Sequence, residues 1–204
     1  MSTSSQSWWA RESFRRKCAI FVTAGMAVVL IILTLHTVAA IQRGAGRVPD
    51  YTVINHRIDY VFDEARHASV PVIGGLAPLF GKELSADESF ALVDLGKMTI
   101  QARNCMNCHT LLGNGAYFAP DLTKAWLDPG WGNDAAREML MLMFLQDPVT
   151  NARTFGTGRR MPDLGLTEAE ARGVIAYLKW MSAIDTNGFP ANFKPLPQSD
   201  VAGG

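Results

Sequence analysis

Residues 104–115 read NCMNCHTLLGNG. Cys105 and Cys108 stand three apart and His109 follows directly. On one turn of chain, two thiols so placed can each add across a vinyl group of haem, and the imidazole then lies under the iron. Two other uses of the pair fail on the rest of the sequence. A dithiol redox site needs a βαβ setting, and no convincing strand pattern surrounds this one. A zinc site needs two further ligands at suitable spacing. The remaining cysteine, Cys18, sits at the edge of an apolar run, where it reads as a small apolar residue. Residues 104–109 are therefore read as a c-type haem attachment site.

The chain on either side is patterned as helices. Ser85 followed by Glu88 forms a capping box that opens a helix to about Gln101, with Phe90, Val93, Leu95 and Met98 as its apolar positions. Residues 110–133 carry Gly113, Gly115, Pro120, Pro129, Gly130 and Gly132 and read mostly as loop. Asn133 or Asp134 can cap a helix over 135–146, before Pro148. Thr167 and Glu170 make a second capping box, with Val174, Ile175, Leu178 and Met181 inward on the helix that follows. Upstream, Ile54, Ile58, Val61, Phe62 and Ala65 fall on one helical face, so a short amphipathic helix is expected over 54–66. Pro71, Gly74, Gly75, Pro78 and Gly81 break the stretch after it. The expected fold is all-α.

A sixth iron ligand must come from Met139, Met141, Met143, Met161, Met181, His56 or His67. Met161 lies in GRRMPDLGLT, a loop in which a sulfur can turn toward the iron without breaking a helix. Met139, Met141 and Met143 fall mid-helix and are expected to pack the core. His109/Met161 ligation raises the potential relative to two histidines, and it leaves no open position for a substrate. The site is thus expected to shuttle electrons, with no catalytic centre of its own. A ligating histidine usually gives its other ring N–H to a carbonyl, and Pro120, in a loop eleven residues on, is the expected acceptor. Arg159 and Arg160 can pair a haem propionate or stand as two solvated loop cations.

The N-terminal part is of another kind. Residues 18–41, CAIFVTAGMAVVLIILTLHTVAAI, hold no formal charge and are long enough to cross a bilayer. Arg11, Arg15, Arg16 and Lys17 precede the span, against Arg43 and Arg47 after it. This excess places the N-terminus in the cytoplasm and the rest outside. Trp8 and Trp9 suit an interfacial anchor. Val38 and Ala40 would also satisfy a signal-peptidase site, but the apolar run exceeds a signal core, so an uncleaved anchor is expected. His36 is a polar group near the outer interface or a contact to a partner helix. Among the 204 residues, Lys+Arg and Asp+Glu both number 19, so no basic excess points to nucleic acid.

The divisions expected are a cytoplasmic N-terminus at 1–17, a transmembrane anchor at 18–41, a linker and inserted segment at 42–84, a haem domain at 85–190 and an extended tail at 191–204. The order of helix, CxxCH, long loop, helix, Met-Pro loop and C-terminal helix resembles a class I cytochrome c domain. More specifically, CMNCHTLLGNGAYFAPDLTKAW (105–126), LTLHT (33–37), RRMPDLGLT (159–167) and YLKWMSAIDTNGFPAN (177–192) resemble the cytochrome c subunit of bacterial nitric oxide reductase. The resemblance implies Cys105 and Cys108 as thioether residues and His109 and Met161 as axial ligands. It implies a soluble periplasmic cytochrome c or cupredoxin as electron donor. As acceptor it implies a large multi-span subunit that reduces two NO to N2O in the bacterial inner membrane. It also implies an interface calcium ion that takes ligands from Gly115 and Tyr117, oxygen donors of the kind calcium prefers. Residues 44–92 are longer than the family leads one to expect. They can add contacts to the large subunit or to another partner, or stand as solvated decoration. Two other functions fit the haem motif: a membrane-anchored cytochrome c serving a terminal oxidase, and a haem-based sensor with a labile sixth ligand.

Overall fold

The structure, a computed structural model, describes residues 8–151 and 158–191. The expected tail, apart from Ala191, lies outside the described residues. The chain divides into two compact units, residues 1–46 and 47–204.

The described residues of the first unit form a short turn, Trp8–Ala10, and one long helix, α1 (Glu12–Ala45). It contains a stretch, Glu12–Gln42, long and apolar enough to cross a membrane, and its large apolar side chains from Ile20 to Ile41 are exposed. The helix outruns the apolar run at both ends, because Arg15–Lys17 are good helix formers and the single Gly44 does not stop a helix already nucleated. Thr34 and Thr37 return their hydroxyls to the carbonyls of Leu30 and Leu33, both at 2.8 Å, so neither hydroxyl stands unpaired on the apolar surface of the helix.

The second unit is built on two helices that cross closely, α2 (Ala86–Ala102) and α5 (Glu168–Ser182). Both start where their capping boxes place them. The Ser85 hydroxyl accepts from Glu88 N and the Glu88 carboxylate accepts from Ser85 N. Thr167 and Glu170 make the same reciprocal pair. The buried face of α2 runs through Ser89, Val93, Gly96 and Ile100. Of the expected apolar positions only Val93 is buried, and Phe90 and Met98 are about half exposed. The reason is the crossing itself. Gly96 meets Gly173 backbone to backbone, so small residues line the contact and the large ones ride outside it. On α5, Val174, Ile175, Leu178 and Met181 are all buried.

α3 (Asp134–Gln146) is capped by the Asn133 side chain, which accepts from Ala136 N, and a single turn, α4 (Pro148–Asn151), follows. Met141 packs in the core at 2% exposure, but Met139 and Met143 face outward. Three positions at alternate residues of a helix cannot share a face.

Two antiparallel ribbons correct the all-α expectation. The segment expected as a helix over 54–66 is instead the first strand of a hairpin, β1 (His56–Asp63) with β2 (Ala68–Leu76). Ile58 and Tyr60 are buried, while Arg57, Asp59 and Val61 point to the other face. β2 supplies Val70, Val72 and Ile73, β-branched residues that suit a pleated surface, and Pro71 sits opposite Tyr60 on an edge strand, where a missing N–H costs little. The Asp63 carboxylate accepts from Ala65 N and Arg66 N to form the turn. The second ribbon, β3 (Thr110–Leu111) with β4 (Asn114–Gly115), is closed by Leu112 and Gly113, both at positive φ as a tight hairpin requires.

The large hairpin is stitched to the end of α5. The Tyr60 hydroxyl donates to Ser182 O at 2.7 Å. Arg66 grips both oxygens of Asp185 at 2.8 and 3.0 Å and also donates to Asn187 Oδ1. Lys179 Nζ donates to Ala77 O, and Trp180 Nε1 to Pro49 O. Residues 47–84 therefore belong to the second unit as part of its packing.

Candidate functional site

α2 delivers the chain to the Cys-x-x-Cys-His turn. Arg103 caps the helix, and Asn104 turns the backbone at φ 57. The next residues form a tight turn in which Cys108 N and His109 N both donate to Cys105 O, at 3.2 and 3.0 Å. Arg103 also makes a forked ion pair with Glu170 at 2.9 and 3.0 Å. The carboxylate that caps α5 thus fixes the entry to the motif as well.

Cys105 and Cys108 make no disulfide, and each is half-buried. Burial pushes the Cys105 thiol above its ordinary range. His109 Nδ1 lies 2.7 Å from Pro120 O. A carbonyl can only accept, so Nδ1 is the donor here, and the other ring nitrogen, Nε2, is the one left to face a metal. A thiol pair and an imidazole nitrogen offered from one turn form a donor set that fits a covalently held haem.

The segment after the motif folds back on it. Ala116 N donates to Met106 O, Ala119 N to Cys108 O and Leu122 N to Thr110 O. A side chain at Gly115 would collide with the His109 carbonyl, and its φ of 118° is one that glycine alone adopts readily. Thr110 Oγ1 donates to Asp121 Oδ2 at 2.6 Å and Leu112 N to Thr123 Oγ1 at 2.8 Å.

Met161 is half-buried against the core, in a stretch without regular structure that ends at the Thr167 cap. Arg159 and Arg160, just before it, are exposed. Arg159 Nη1 donates to Phe118 O at 2.8 Å, and its guanidinium stacks 4.8 Å from the centre of the Phe118 ring. Tyr117 is 81% exposed, with its hydroxyl 3.4 Å from Gly113 O. Among the described residues no cluster of three or more His, Cys, Asp or Glu side chains is placed to hold a metal ion.

Spacing alone does not reveal three contacts of this region: the Arg103–Glu170 pair, the Arg159–Phe118 contact and the burial of Lys124. Lys124 is 5% exposed. Its ammonium donates to Ser182 O and Ile184 O, at 3.3 and 2.8 Å, and lies over the Tyr60 ring. Burial lowers its pKa to about 8, with Asp185 and Asp121 opposing that fall. Each of these contacts joins residues far apart in sequence, and no local pattern carries such information.

Residues 93–182 match the sequence family described as Cytochrome c, a domain built around covalently bound haem c. The chain is 35% identical over 114 residues to the C subunit of nitric oxide reductase from Stutzerimonas stutzeri, covering 55% of this chain and 74% of the relative. To its counterpart from Cereibacter sphaeroides it is 39% identical over 105 residues, 49% of this chain and 67% of the relative. To that from Paracoccus denitrificans it is 35% identical over 121 residues, 56% and 76% respectively. With three such relatives matched over two thirds or more of their own length, and a cytochrome c domain spanning the Cys-x-x-Cys-His turn, the chain belongs to the family of nitric oxide reductase C subunits.

Proposed function

We propose that this chain is the electron-entry subunit of a membrane-bound nitric oxide reductase. It takes electrons from a soluble periplasmic cytochrome c or cupredoxin and passes them to a large multi-span subunit that reduces two NO to N2O. The observation that carries the reading is the His109–Pro120 contact at 2.7 Å, which aims the imidazole as a ligand from the same turn that offers both thiols. Cys105 and Cys108 would hold the haem covalently, and His109 and Met161 would ligate its iron. When bound, haem c supplies a one-electron couple.

The chain's own residues set the conditions for that couple. Pro120 fixes the ring of His109. Met161, as a thioether ligand, would favour the reduced couple and leave the iron no place for substrate. Arg159 and Arg160 are the cations that would be offered to the propionates. We assign α1 as an uncleaved anchor with its N-terminus in the cytoplasm, on the excess of Arg11, Arg15, Arg16 and Lys17. The haem domain then stands in the periplasm. For a calcium ion shared with the large subunit, this chain offers an incomplete site. The Gly115 carbonyl and the Tyr117 oxygen are two donors, where calcium takes about six to eight. The large subunit would have to supply the others.

The test is a tagged chain purified from denitrifying membranes. A multi-span subunit with haem and non-haem iron should come with it, and the preparation should reduce NO with a reduced periplasmic donor. Copurification with a terminal oxidase instead would refute the assignment. Chelation of calcium should slow transfer between the subunits or loosen them, and no change in either would remove the calcium site.

A further inference from the structure

We propose that Arg159 is a positioning residue for Met161, acting as a strap that fastens the methionine loop to the segment holding His109. The inference rests on the His109/Met161 ligation proposed above.

Three consecutive residues carry the geometry. Phe118 O accepts from Arg159, Ala119 N donates to Cys108 O, and Pro120 O faces His109 Nδ1, at 2.8, 2.8 and 2.7 Å. The same short run of backbone thus holds the haem-attachment turn, the ring of His109 and the approach to Met161. Downstream it is pinned again by Leu122 N on Thr110 O and by Asp121 on Thr110. It cannot drift without disturbing the motif.

The methionine loop is held differently. Gly165 N donates to Asp163 within the loop, and Thr167 bonds Glu170 in its own cap. Arg159 instead reaches 41 residues back in sequence and uses two kinds of contact at once, a hydrogen bond to the Phe118 carbonyl and a stack on the Phe118 ring. A planar guanidinium lies over the ring while one of its N–H groups reaches the carbonyl, whereas a lysine ammonium is a point charge without that flat stacking surface. Arg159 stands two residues from Met161, so its anchor limits how far the sulfur can swing. The Met161-off state is the one that an outside ligand can enter, and loosening the strap raises its population.

Imidazole titration of the full-length, haem-loaded ferric chain in detergent tests this. The signal is loss of the weak charge-transfer absorption that a methionine sulfur gives on ferric haem. Apparent affinity for a competing ligand scales with the fraction of open sites. Arg159→Gln should bind imidazole about tenfold more tightly than wild type, and Arg159→Lys and Phe118→Leu each about threefold. Phe118→Tyr, which keeps the ring, should behave as wild type. The Arg159→Gln, Phe118→Leu double variant should gain no more than Arg159→Gln alone, because both break one contact. Covalent haem content, measured first, should be the same in all of them.

Wild-type protein without the charge-transfer absorption would overturn the ligation and the strap together. The absorption present, with every variant matching wild type, would overturn the strap and leave the ligation standing. A change in Arg159→Gln with Arg159→Lys and Phe118→Leu unchanged would also overturn the strap, since positive charge on a propionate would then explain the effect.

Discussion

Gly96→Ala places a methyl group where the crossing of α2 and α5 has no room. A Cβ at residue 96 would run into the Gly173 carbonyl and stand 2.8 Å from Tyr177 Cβ. A Cβ at residue 173 would stand 2.9 Å from Gly96 N and 3.1 Å from Leu95 Cγ. The first obstacle is the backbone of another helix, so relief requires the helices to separate. Overpacking typically costs about 1–3 kcal/mol, and a backbone obstacle puts this case at or above the upper end. Alanine recovers about 1 kcal/mol of helix propensity, which leaves a net loss of about 2 kcal/mol or more. For a domain of this size that lowers Tm by roughly 4–8 °C. Thermal unfolding of the haem-loaded chain in detergent, followed by far-ultraviolet circular dichroism, measures it. Gly75→Ala is the control. Nothing lies within 4 Å of a Cβ there, and the change should stay within about 0.5 kcal/mol. Gly173→Ala should fall between the two, because its backbone obstacle, Gly96 N at 2.9 Å, is a much milder overlap than the Gly173 carbonyl presents to residue 96. If Gly96→Ala melts with Gly75→Ala, the close crossing is not what holds these helices.

Lys124 makes stability depend on pH. Its pKa is about 8 in the folded chain against 10.5 for an ordinary lysine, so between those values the unfolded chain holds the extra proton. Stability should therefore rise from pH 8 toward pH 10 in denaturant titrations, and Lys124→Met should flatten the rise. Above pH 10 burial of Tyr60, which raises its pKa, opposes the trend. The hydrogen bond from Arg66 lowers the pKa of Asp185 below the usual 3.8, so its contribution is full above that value and is lost as pH falls through the lowered one. Arg66→Ala should move the onset of acid unfolding to higher pH, and an unmoved acid limb would count against the clamp. Cys105→Ala and Cys108→Ala should each retain haem through one thioether, and the double variant should show none by haem staining after denaturing electrophoresis. Stain in the double variant would refute the attachment site.

The parts of the fold legible in the sequence are those specified within a few residues. Ser85–Glu88 and Thr167–Glu170 are reciprocal local pairs, and both helices begin where those pairs predict. The thiols and imidazole of residues 105–109 are equally local. The contact face of α2 is not legible, because the bulkiest residues suggest a core face and the real one is chosen by Gly96 meeting Gly173. The hairpin misleads for a related reason. Ile54, Ile58, Val61, Phe62 and Ala65 satisfy helical spacing over a short window. The alternation of buried Ile58 and Tyr60 with Arg57, Asp59 and Val61 decides for a strand only once β2 lies beside it. Of the site, the Arg159–Phe118 contact spans 41 residues and needs the folded chain to be seen.

The stitching of the hairpin to the end of α5 bears on the order of events during synthesis. Tyr60 waits on Ser182, Arg66 on Asp185 and Pro49 on Trp180, separations of 122, 119 and 131 residues. Chains emerge from the N-terminus, so none of these clasps can close until almost the whole domain has left the ribosome. Until then the Cys-x-x-Cys-His turn belongs to an open chain whose C-terminal helix has yet to cover α2. Thioether bonds can therefore be made on an accessible turn, and the last residues to arrive lock the finished domain around it.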